Sequence, residues 1–351
     1  MQSFVTQCSI IFTGQTTYST GSNPGSLHAV DVNGDGKPDI IVANTDSNNV
    51  GVLLNTGNGA FSAQATYSTD FSPKSLDAVD VDGDGKPDII VVNYGSNNAG
   101  VLLNTGNGTF SPQTTYSTSN APNSVVAVDV NGDGKPDIIV VNSDSNDVGV
   151  LFNIGNGTFA AQTTYSTATL PVEVATADVN GDNKTDIIVV NFGSDNVGVL
   201  LNTGNGTFSA QTTYSTGSWP TSVVAADVNG DGKHDIIVAN FLSDNVGVLL
   251  NIGNGTFSAQ TAYLTSTSPY EATAADVNGD GKPDIIVVNY VSNNVDVLFN
   301  IGNGTFATPT TYSTGSSPTS VVAADVNGDG KLDIIVANYD PNEVGVFLNY
   351  C

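Results

Sequence analysis

The sequence predicts an all-β fold, a seven-bladed β-propeller of four-stranded antiparallel blades. In its 351 residues, the stretch DVNGDGKPDIIVAN begins at Asp31, and near-copies of it begin every 49 residues, at Asp80, Asp129, Asp178, Asp227, Asp276 and Asp325. Between the copies, short runs rich in Val, Ile, Phe, Tyr and Thr alternate with breaks rich in Gly, Asn, Asp and Ser, which is the pattern of strands and turns. Repeats of about 40 to 50 residues are typical of propellers and solenoids, whose units bury their apolar faces only against neighbours.

The unit 221–267 shows the predicted path of the chain through one blade. Its strands are SVVAADV, IIVAN, NVGVLLN and TFSAQTAYL, separated by the breaks NGDGKHD, FLSD and IGNG. No segment carries a helical i, i+3, i+4 spacing over eleven or more residues, so we expect almost no helix. A parallel β-helix is the rival architecture, but its coils are usually much shorter and are not cut by three tight turns.

The two ends of the chain predict how the ring closes. Tyr18 lies one period before Tyr67, so IIFTGQTTYST is a fourth strand without the first three, whereas the last unit stops after its third strand. The N-terminal strand should therefore complete the last blade. We predict one propeller domain over 8–351, preceded by an extension of seven residues, 1–7.

The two cysteines lie in the same register of the repeat. Cys8 and Cys351 are separated by seven periods and both match the turn glycine at position 57, where the ring is cut. We predict a disulfide that staples the last blade, and the alternative is two unrelated free thiols. A structural disulfide indicates an oxidising, extracytoplasmic compartment.

The charge excludes several classes of partner. With 34 acidic residues against 8 basic ones, the formal net charge is −26. Nucleic acid and anionic membrane surfaces are attracted by Lys and Arg, so we exclude both as partners. No apolar run approaches the roughly 18 to 20 residues that cross a bilayer, and the first residues lack the basic and apolar regions of a signal peptide. If the protein is secreted, its leader is not in this sequence.

The repeated loop has the oxygen ligands of a calcium site. In the first copy, the side chains of Asp31, Asn33 and Asp35, the backbone carbonyl of Lys37 and the side chain of Asp39 occupy positions 1, 3, 5, 7 and 9. Hard oxygen ligands at alternate positions suit calcium, and a glycine after the third ligand permits the sharp turn. Magnesium fits less well, because it retains water and requires a strict octahedron. The chain should bind about seven Ca²⁺ ions.

The other six loops supply the same predicted ligand positions. They are Asp80, Asp82, Asp84, Lys86 and Asp88; Asp129, Asn131, Asp133, Lys135 and Asp137; Asp178, Asn180, Asp182, Lys184 and Asp186; Asp227, Asn229, Asp231, Lys233 and Asp235; Asp276, Asn278, Asp280, Lys282 and Asp284; and Asp325, Asn327, Asp329, Lys331 and Asp333.

These loops also have a simpler interpretation, since Asx-Gly stretches make good turns without metal. Seven copies with three or four carboxylates each favour the metal, because carboxylates about 5 Å apart repel by roughly 3 kcal/mol per pair at an effective dielectric near 20. The loops are not EF-hands: Val42 stands where a bidentate Glu is needed, and strands flank the loop. In the fourth loop Asn183 replaces glycine, and Asn tolerates a left-handed backbone.

The calcium loop, together with IIVVN, VGVLLN and GNGTF, resembles the FG-GAP/VCBS repeats of integrin α-subunit propellers and related proteins. The resemblance covers nearly the whole chain. It implies a seven-bladed propeller with calcium loops between the first and second strands of the blades. Integrins usually keep such loops in only some blades, whereas all seven have one here. The family contains adhesion receptors, lectins and domains appended to enzymes, so it does not fix the function.

Two further motifs concern modification and catalysis. GNGTF contains N-x-T sequons, although Asn-Gly is also a preferred hairpin turn. In a eukaryote we predict glycans at Asn107, Asn156, Asn205, Asn254 and Asn303. The only histidines, His28 and His234, lie in different repeats without a catalytic partner at a motif spacing. We therefore predict that the protein is not an enzyme.

Comparison of the repeats locates a candidate binding surface. The loops between strands one and two and between three and four are nearly identical in all copies and should share one face. The remaining loops should lie on the opposite face and vary, and they carry Phe71, Leu170, Trp219 and Tyr270 in one set and Tyr94, Phe192, Phe241, Tyr290 and Tyr339 in the other. These residues indicate contact with protein or glycan, or drift in unconstrained loops.

We therefore predict a secreted, extracellular or cell-surface, non-catalytic interaction module of adhesion or lectin type. The alternative is a structural subunit whose copies assemble into an extracellular filament or array, aided by the extension 1–7. Its partners would be a protein or glycan ligand, or copies of itself.

Overall fold

The computed structural model describes residues 11–350 except residue 13. The described chain is all-β, apart from two three-residue 3₁₀ helices at Phe192–Ser194 and Phe241–Ser243. Seven four-stranded antiparallel sheets form the blades, which confirms the predicted fold class. Cys8, Cys351 and the extension 1–7 lie outside the described residues, so the disulfide stays a prediction.

Each blade is a simple meander, and its strands are called first to fourth in the order of hydrogen-bonded pairing. The strands are Pro24–Val30, Asp39–Asn44, Asn49–Leu53 and Ala65–Ser68 in blade 1. They are Pro73–Val79, Asp88–Asn93, Asn98–Leu102 and Thr114–Ser117 in blade 2, and Pro122–Val128, Asp137–Asn142, Asp147–Leu151 and Thr163–Ser166 in blade 3.

The remaining blades repeat this plan. Blade 4 contains Pro171–Ala177, Asp186–Asn191, Asn196–Leu200 and Thr212–Ser215, and blade 5 contains Pro220–Ala226, Asp235–Asn240, Asn245–Leu249 and Thr261–Leu264. Blade 6 contains Pro269–Ala275, Asp284–Asn289, Asn294–Leu298 and Thr310–Ser313, and blade 7 contains Pro318–Ala324, Asp333–Asn338, Glu343–Phe347 and Thr16–Ser19.

The predicted fourth strand is in fact two pieces. Its first residues pair with the end of the third-strand region in a small hairpin, and only its last four residues join the blade. The small hairpins are Asn55–Gly57 with Ala60–Phe61, Asn104–Gly106 with Thr109–Phe110, Asn153–Gly155 with Thr158–Phe159, Asn202–Gly204 with Thr207–Phe208, Asn251–Gly253 with Thr256–Phe257, and Asn300–Gly302 with Thr305–Phe306.

The N-terminal strand closes the ring as predicted. Thr16–Ser19 pairs antiparallel with Glu343–Phe347, in the register that other blades use for their fourth strand. A further bridge joins Phe12 to Asn349, at the positions of the small hairpin. The last blade is thus shared between the two ends of the chain.

The hydrophobic core lies between blades. The second strand of each blade is buried along its whole length. The buried side chains form seven clusters, each spanning two neighbouring blades. Across each interface a tyrosine of one blade meets a phenylalanine of the next edge-to-face, as in Tyr18 and Phe61 at a centroid distance of 5.4 Å. No blade can bury its apolar surface alone, which is why the repeats form one cooperative ring.

The first strands surround the central channel. A ring of seven hydrogen bonds links them, because the third residue of each first strand offers a side-chain oxygen to the backbone N–H of the fourth residue in the next blade. Serine provides this oxygen in five blades, at N···O distances from 3.1 to 3.4 Å. Glu173 and Glu271 provide it in blades 4 and 6, at 2.9 and 3.3 Å.

Candidate functional site

The first candidate site is the loop between the first and second strands, which has one conformation in every blade. In blade 1, Asp31 points into the loop: Oδ1 accepts from the Gly34 N–H at 2.7 Å and Oδ2 accepts from the Gly36 N–H at 2.7 Å. Gly34 and Gly36 have φ of +80° and +84°, where a side chain is strained. The sequence pattern D-x-N-G-D-G therefore curls the loop around the first aspartate.

The aspartate at position 9 of the loop anchors it to the blade. Asp39 is fully buried, and its carboxylate accepts from the N–H groups of Val32 at 3.0 Å and Asn55 at 2.7 Å. Burial raises the pKa of Asp39, and the neighbouring Asp35 and Asp31 carboxylates raise it further, although the backbone hydrogen bonds oppose this. The same causes raise the pKa of Asp88 and of Asp284 to about 6.

The second loop has an aspartate, Asp82, at position 3, where the other six loops have asparagine. One oxygen each of Asp80, Asp82 and Asp88 lies within 4.8 Å of the others. Hard carboxylate oxygens at this spacing suit a divalent cation that prefers oxygen, such as calcium. The donor set of the second loop therefore fits the predicted ion, and the other six loops offer an asparagine oxygen at position 3.

The fourth loop keeps its shape despite its sequence change. Asn183 has φ of +60°, and its N–H donates to Asp178 Oδ2 at 2.7 Å, which is the contact that Gly36 makes in the first loop. The left-handed backbone predicted for Asn183 is confirmed, so this loop presents the same ligand positions as the other six.

The loop lysines make a contact that the sequence does not reveal. The ammonium group pairs with the aspartate at position 5, as in Lys37 Nζ to Asp35 Oδ2 at 2.9 Å, and the hydrogen bond lowers the pKa of that aspartate. The same pairing occurs for Lys86, Lys135, Lys184, Lys233 and Lys282. A cation at this aspartate would compete with the ammonium group.

The predicted glycosylation residues lie at exposed turn tips, on the face that also carries the loops between the first and second strands. Asn107, Asn156, Asn205, Asn254 and Asn303 are exposed and have φ between +52° and +54°. A following glycine that is also left-handed gives the type I′ hairpin turn expected of Asn-Gly. Their position is compatible with modification, and glycosylation stays a prediction.

The second candidate site is the variable face, defined as the surface formed by the second-to-third loops and by the loops that lead into the next blade. Five aromatic residues from blades 4 to 6 form a continuous cluster there, which we call the aromatic platform. Its ring centroids lie between 5.1 and 6.5 Å apart from one neighbour to the next. The platform residues are Phe192, Trp219, Phe241, Tyr270 and Tyr290.

The other variable-face residues do not join the ring contacts of the platform. Phe71 is the most exposed of them at 69%, Tyr94 is 39% exposed, and Leu170 is 38% exposed. Tyr339 is half-buried, and burial raises its pKa. The residues predicted for the variable face are therefore of two kinds. Five form the aromatic platform, and the others lie apart from it.

The expected loop position of Tyr270 is wrong. Tyr270 is the second residue of the first strand of blade 6, and it lines the central channel as well as touching Phe241 and Tyr290. Burial, followed by the charges of Glu271 and Glu173, raises the pKa of Tyr270 to about 12.

Two residues of the variable face hold a strained backbone. Leu170 and Trp219 have φ of +49° and +53° and are the bulkiest residues at a position that is left-handed in all seven blades. The other blades place smaller residues there: Asn23, Ser72, Ala121, Ser268 and Ser317. A left-handed backbone costs a bulky residue roughly 1 to 2 kcal/mol. Strain of this kind at a surface is an indication of function.

Sequence reasoning missed the charged residues of the channel. Lys74, Glu173 and Glu271 line a cavity of about 310 Å³ at the variable-face end of the channel. Their signal was present in the repeat alignment, because glutamate replaces the ring serine in two blades and lysine occupies a position held elsewhere by Gly, Asn, Val, Thr or Tyr.

A family model for the FG-GAP-like repeat matches residues 31–91, 80–140, 129–189, 178–238, 228–287 and 276–336. The chain belongs to this family of repeat proteins, and its fold is the seven-bladed propeller described above. None of the curated proteins compared with the chain matches it.

Solved structures share the fold at low sequence identity. BBS1N, crystallised in complex with ARL6DN, has a TM-score of 0.70 at 11% identity, covering 96% of this chain and 97% of its own. Virginiamycin B lyase from Staphylococcus aureus has a TM-score of 0.69 at 13% identity, covering 96% and 99%. An Agrocybe aegerita lectin that recognises non-reducing terminal N-acetylglucosamine has a TM-score of 0.59 at 20% identity, covering 94% and 96%. These similarities show the fold alone.

Within the described residues, no helix is long and apolar enough to span a membrane.

Proposed function

We propose that the protein is a secreted, calcium-stabilised recognition module without catalytic activity, and that it binds glycan through the aromatic platform. The observation that carries the proposal is the platform itself, since five rings from three blades are contiguous on a face whose loops differ from blade to blade. Aromatic side chains combine a large apolar face with a polar edge, which suits sugar rings that expose both C–H and O–H groups.

Strain at Trp219 supports the same proposal. This residue is 45% exposed and has φ of +53°, at a left-handed position that the other blades fill with Asn, Ser, Ala or Leu. Placing the largest side chain at a left-handed position is costly for folding. A role in recognition offsets that cost, and the structural similarity to a glycan-binding lectin is compatible with it.

The calcium loops have a supporting role in this proposal. Side-chain oxygens of positions 1, 3, 5 and 9 and the backbone carbonyl of position 7 would hold the ion in each loop. Calcium supplies positive charge that compensates the clustered carboxylates. The loops lie on the opposite face, so the ion would stabilise the ring without contacting the glycan.

A non-catalytic role is supported by the surroundings of the two histidines. His28 Nδ1 lies 3.7 Å from Asp77 Oδ1, but the Asp77 carboxylate already accepts from the N–H groups of Ala78 and Ala127. His234 is exposed in a calcium loop, with Nδ1 at 3.3 Å from the carbonyl of Asp178. Neither arrangement activates a nucleophile.

Glycan-array binding of the calcium-loaded protein tests the proposal. We expect selective retention on a subset of glycans, and at least about a tenfold loss of affinity for that subset in Trp219→Asn. Phe71→Asn is the matched control, because Phe71 lies on the same face outside the platform, and it should bind like the parent. A parent protein that retains no glycan, or a Trp219→Asn variant that binds equally well, contradicts the proposal. Filaments or arrays of the parent in electron microscopy would instead favour self-assembly.

A further inference from the structure

The central channel contains a cavity whose charges are separate from those of the calcium loops. The cavity has a volume of about 310 Å³ and is lined by first-strand residues of blades 1 to 6 and by Phe192 at its rim. Seven of the eight lysines of the chain lie in the calcium loops, and the eighth, Lys74, lines this cavity. Two of the only three glutamates, Glu173 and Glu271, line it as well.

The two glutamates line the cavity, and each carries one carboxylate oxygen more than its hydrogen bond to the ring uses. Glu173 uses Oε2 to accept from the Val223 N–H and also accepts from the Ser222 side chain. Glu271 uses Oε1 to accept from the Ser320 hydroxyl and the Val321 N–H. The five ring serines perform the same structural task with a single oxygen. The glutamates therefore hold their places in the ring and present a second oxygen that the ring does not need.

Lys74 lies on a different wall of the cavity. It belongs to blade 2, two blades from Glu173 in blade 4 and three blades from Glu271 in blade 6. The lysine ion pairs of the described residues all lie within the repeated loops. No carboxylate of the described residues is therefore within ion-pair distance of Lys74. Its nearest acidic neighbour in sequence, Asp77, is occupied by backbone N–H groups.

All three groups are held in unfavourable surroundings. Burial lowers the pKa of Lys74, raises the pKa of Glu173 well above its ordinary value and raises that of Glu271 to about 7, and the Glu271 charge adds to the shift at Glu173. Burial thus disfavours the charged form of each group, and an opposite charge brought beside it favours that form again. A ligand that brings a positive group to one wall and a negative group to the other neutralises both.

We propose that the channel cavity binds a small zwitterion, with its ammonium group between Glu173 and Glu271 and its carboxylate against Lys74. A ligand with only a positive charge would leave Lys74 unpaired, and a ligand with only a negative charge would leave the glutamates unpaired. Asn123 supplies a further polar group on the wall, and Tyr270 and Phe192 supply aromatic surface near the mouth. An ammonium group near the face of a tyrosine gains cation–π attraction.

This site goes beyond the proposed recognition of glycan and is tested separately. The probes are glycine, β-alanine, 4-aminobutyrate and 6-aminohexanoate, with butylamine and butyrate as single-charge controls, measured by isothermal titration calorimetry at neutral pH in excess calcium. Because the members of the series differ in the separation of their charges, we expect one or two lengths to bind. Butylamine and butyrate should bind at least about tenfold more weakly than the best zwitterion.

The repeat itself supplies variants that preserve the fold. Lys74→Thr introduces the residue found at this position in blades 5 and 7, and Glu173→Ser with Glu271→Ser restores the ring serine of the other five blades. Each variant should lose at least about tenfold in affinity for the best zwitterion. Lys74→Thr should leave binding of butylamine unchanged. Asp144→Asn, an exposed change of charge on the variable face, should have no effect on any probe.

The outcomes separate this proposal from its alternatives. Butylamine that binds as tightly as the best zwitterion would show a simple cation site, and butyrate that does so would show an anion site; either overturns the proposal. No binding by any member of the series also overturns it. Because Trp219→Asn changes neither Lys74 nor the glutamates, loss of glycan binding in that variant leaves this test unaffected.

Discussion

The two faces of the ring fill their left-handed backbone positions differently. On the face of the predicted calcium loops, every blade places glycine or asparagine at these positions, as in Gly34, Gly36 and Asn183. The variable face has one left-handed position that is Asn or Asp in every blade and a second that changes from blade to blade, with its bulkiest residues at Leu170 and Trp219. The first face repeats one low-strain solution seven times, whereas the second accepts the most strain in blades 4 and 5. This difference indicates a shared stabilising task on one face and a blade-specific task on the other.

Removal of calcium should have the largest effect and act through the first face alone. For a site of micromolar affinity in roughly millimolar calcium, bound metal stabilises the folded state by about 4 kcal/mol. Seven sites need not add in full, but we expect a marked fall of Tm in EGTA, followed by differential scanning calorimetry. Excess magnesium should restore little of the loss. A Tm that is unchanged by EGTA would show that the loops do not hold calcium.

A single-loop variant sharpens this comparison. Asp133→Asn removes an exposed position-5 carboxylate whose described partners are all within its own loop. In calcium, the variant should lose one bound ion and up to about 4 kcal/mol in the free energy of unfolding. In EGTA, its free energy of unfolding should match that of the parent. An equal loss in both conditions would mean that the aspartate stabilises the loop without metal.

Replacement of both channel glutamates should have a smaller effect that depends on pH. Burial raises the pKa of Glu173 and Glu271, so both bind protons more tightly in the folded than in the unfolded state. Proton binding by the folded state therefore stabilises it fully at pH values below the ordinary glutamate pKa of 4.5. This stabilisation is lost as the pH rises through about 7. Glu173→Ser with Glu271→Ser should remove this loss, while the ring hydrogen bonds are kept by the serines.

The measurement is the difference in the free energy of unfolding between pH 5 and pH 8, in saturating calcium. Lys74 and Tyr270 line the same cavity, and they remain in the variant. The difference should therefore be smaller in the double variant than in the parent, and the variant should be the more stable protein at pH 8. The same pH dependence in both proteins would show that the glutamates are solvated and that burial does not raise their pKa.

The sequence predicted the parts of this structure that recur in every blade. A 49-residue period with alternating apolar runs leaves few ways to bury the strands, and the half-blades at the ends require closure by residues 16–19. The loop conformation followed from Gly34 and Gly36, because few residues other than glycine adopt such φ values without strain.

Features that occur once were harder to predict. The contacts of Phe192 with Trp219 and of Tyr270 with Tyr290 join different blades, and their geometry depends on the curvature of the ring. Glu173 and Glu271 lie 98 residues apart in the sequence and line the same cavity because their two blades face one channel. Repeat periodicity identifies the substitutions but gives no distance between them.

Relief of backbone strain at Leu170 should have the smallest effect. It measures how much this strain lowers the free energy of unfolding. Leu170→Asn places at φ of +49° the residue type that blade 1 uses at this position, and Leu170 is outside the ring contacts of the aromatic platform. We expect a gain of up to about 1 kcal/mol in the free energy of unfolding, because asparagine tolerates this backbone.

Trp219→Asn relieves the same strain but loses aromatic contacts with Phe192 and Phe241, which are worth about 0.5 to 1.5 kcal/mol each. It should therefore be no more stable than the parent. Urea unfolding of both variants in saturating calcium measures the difference, and a Leu170→Asn variant less stable than the parent would show that the leucine is held there for packing.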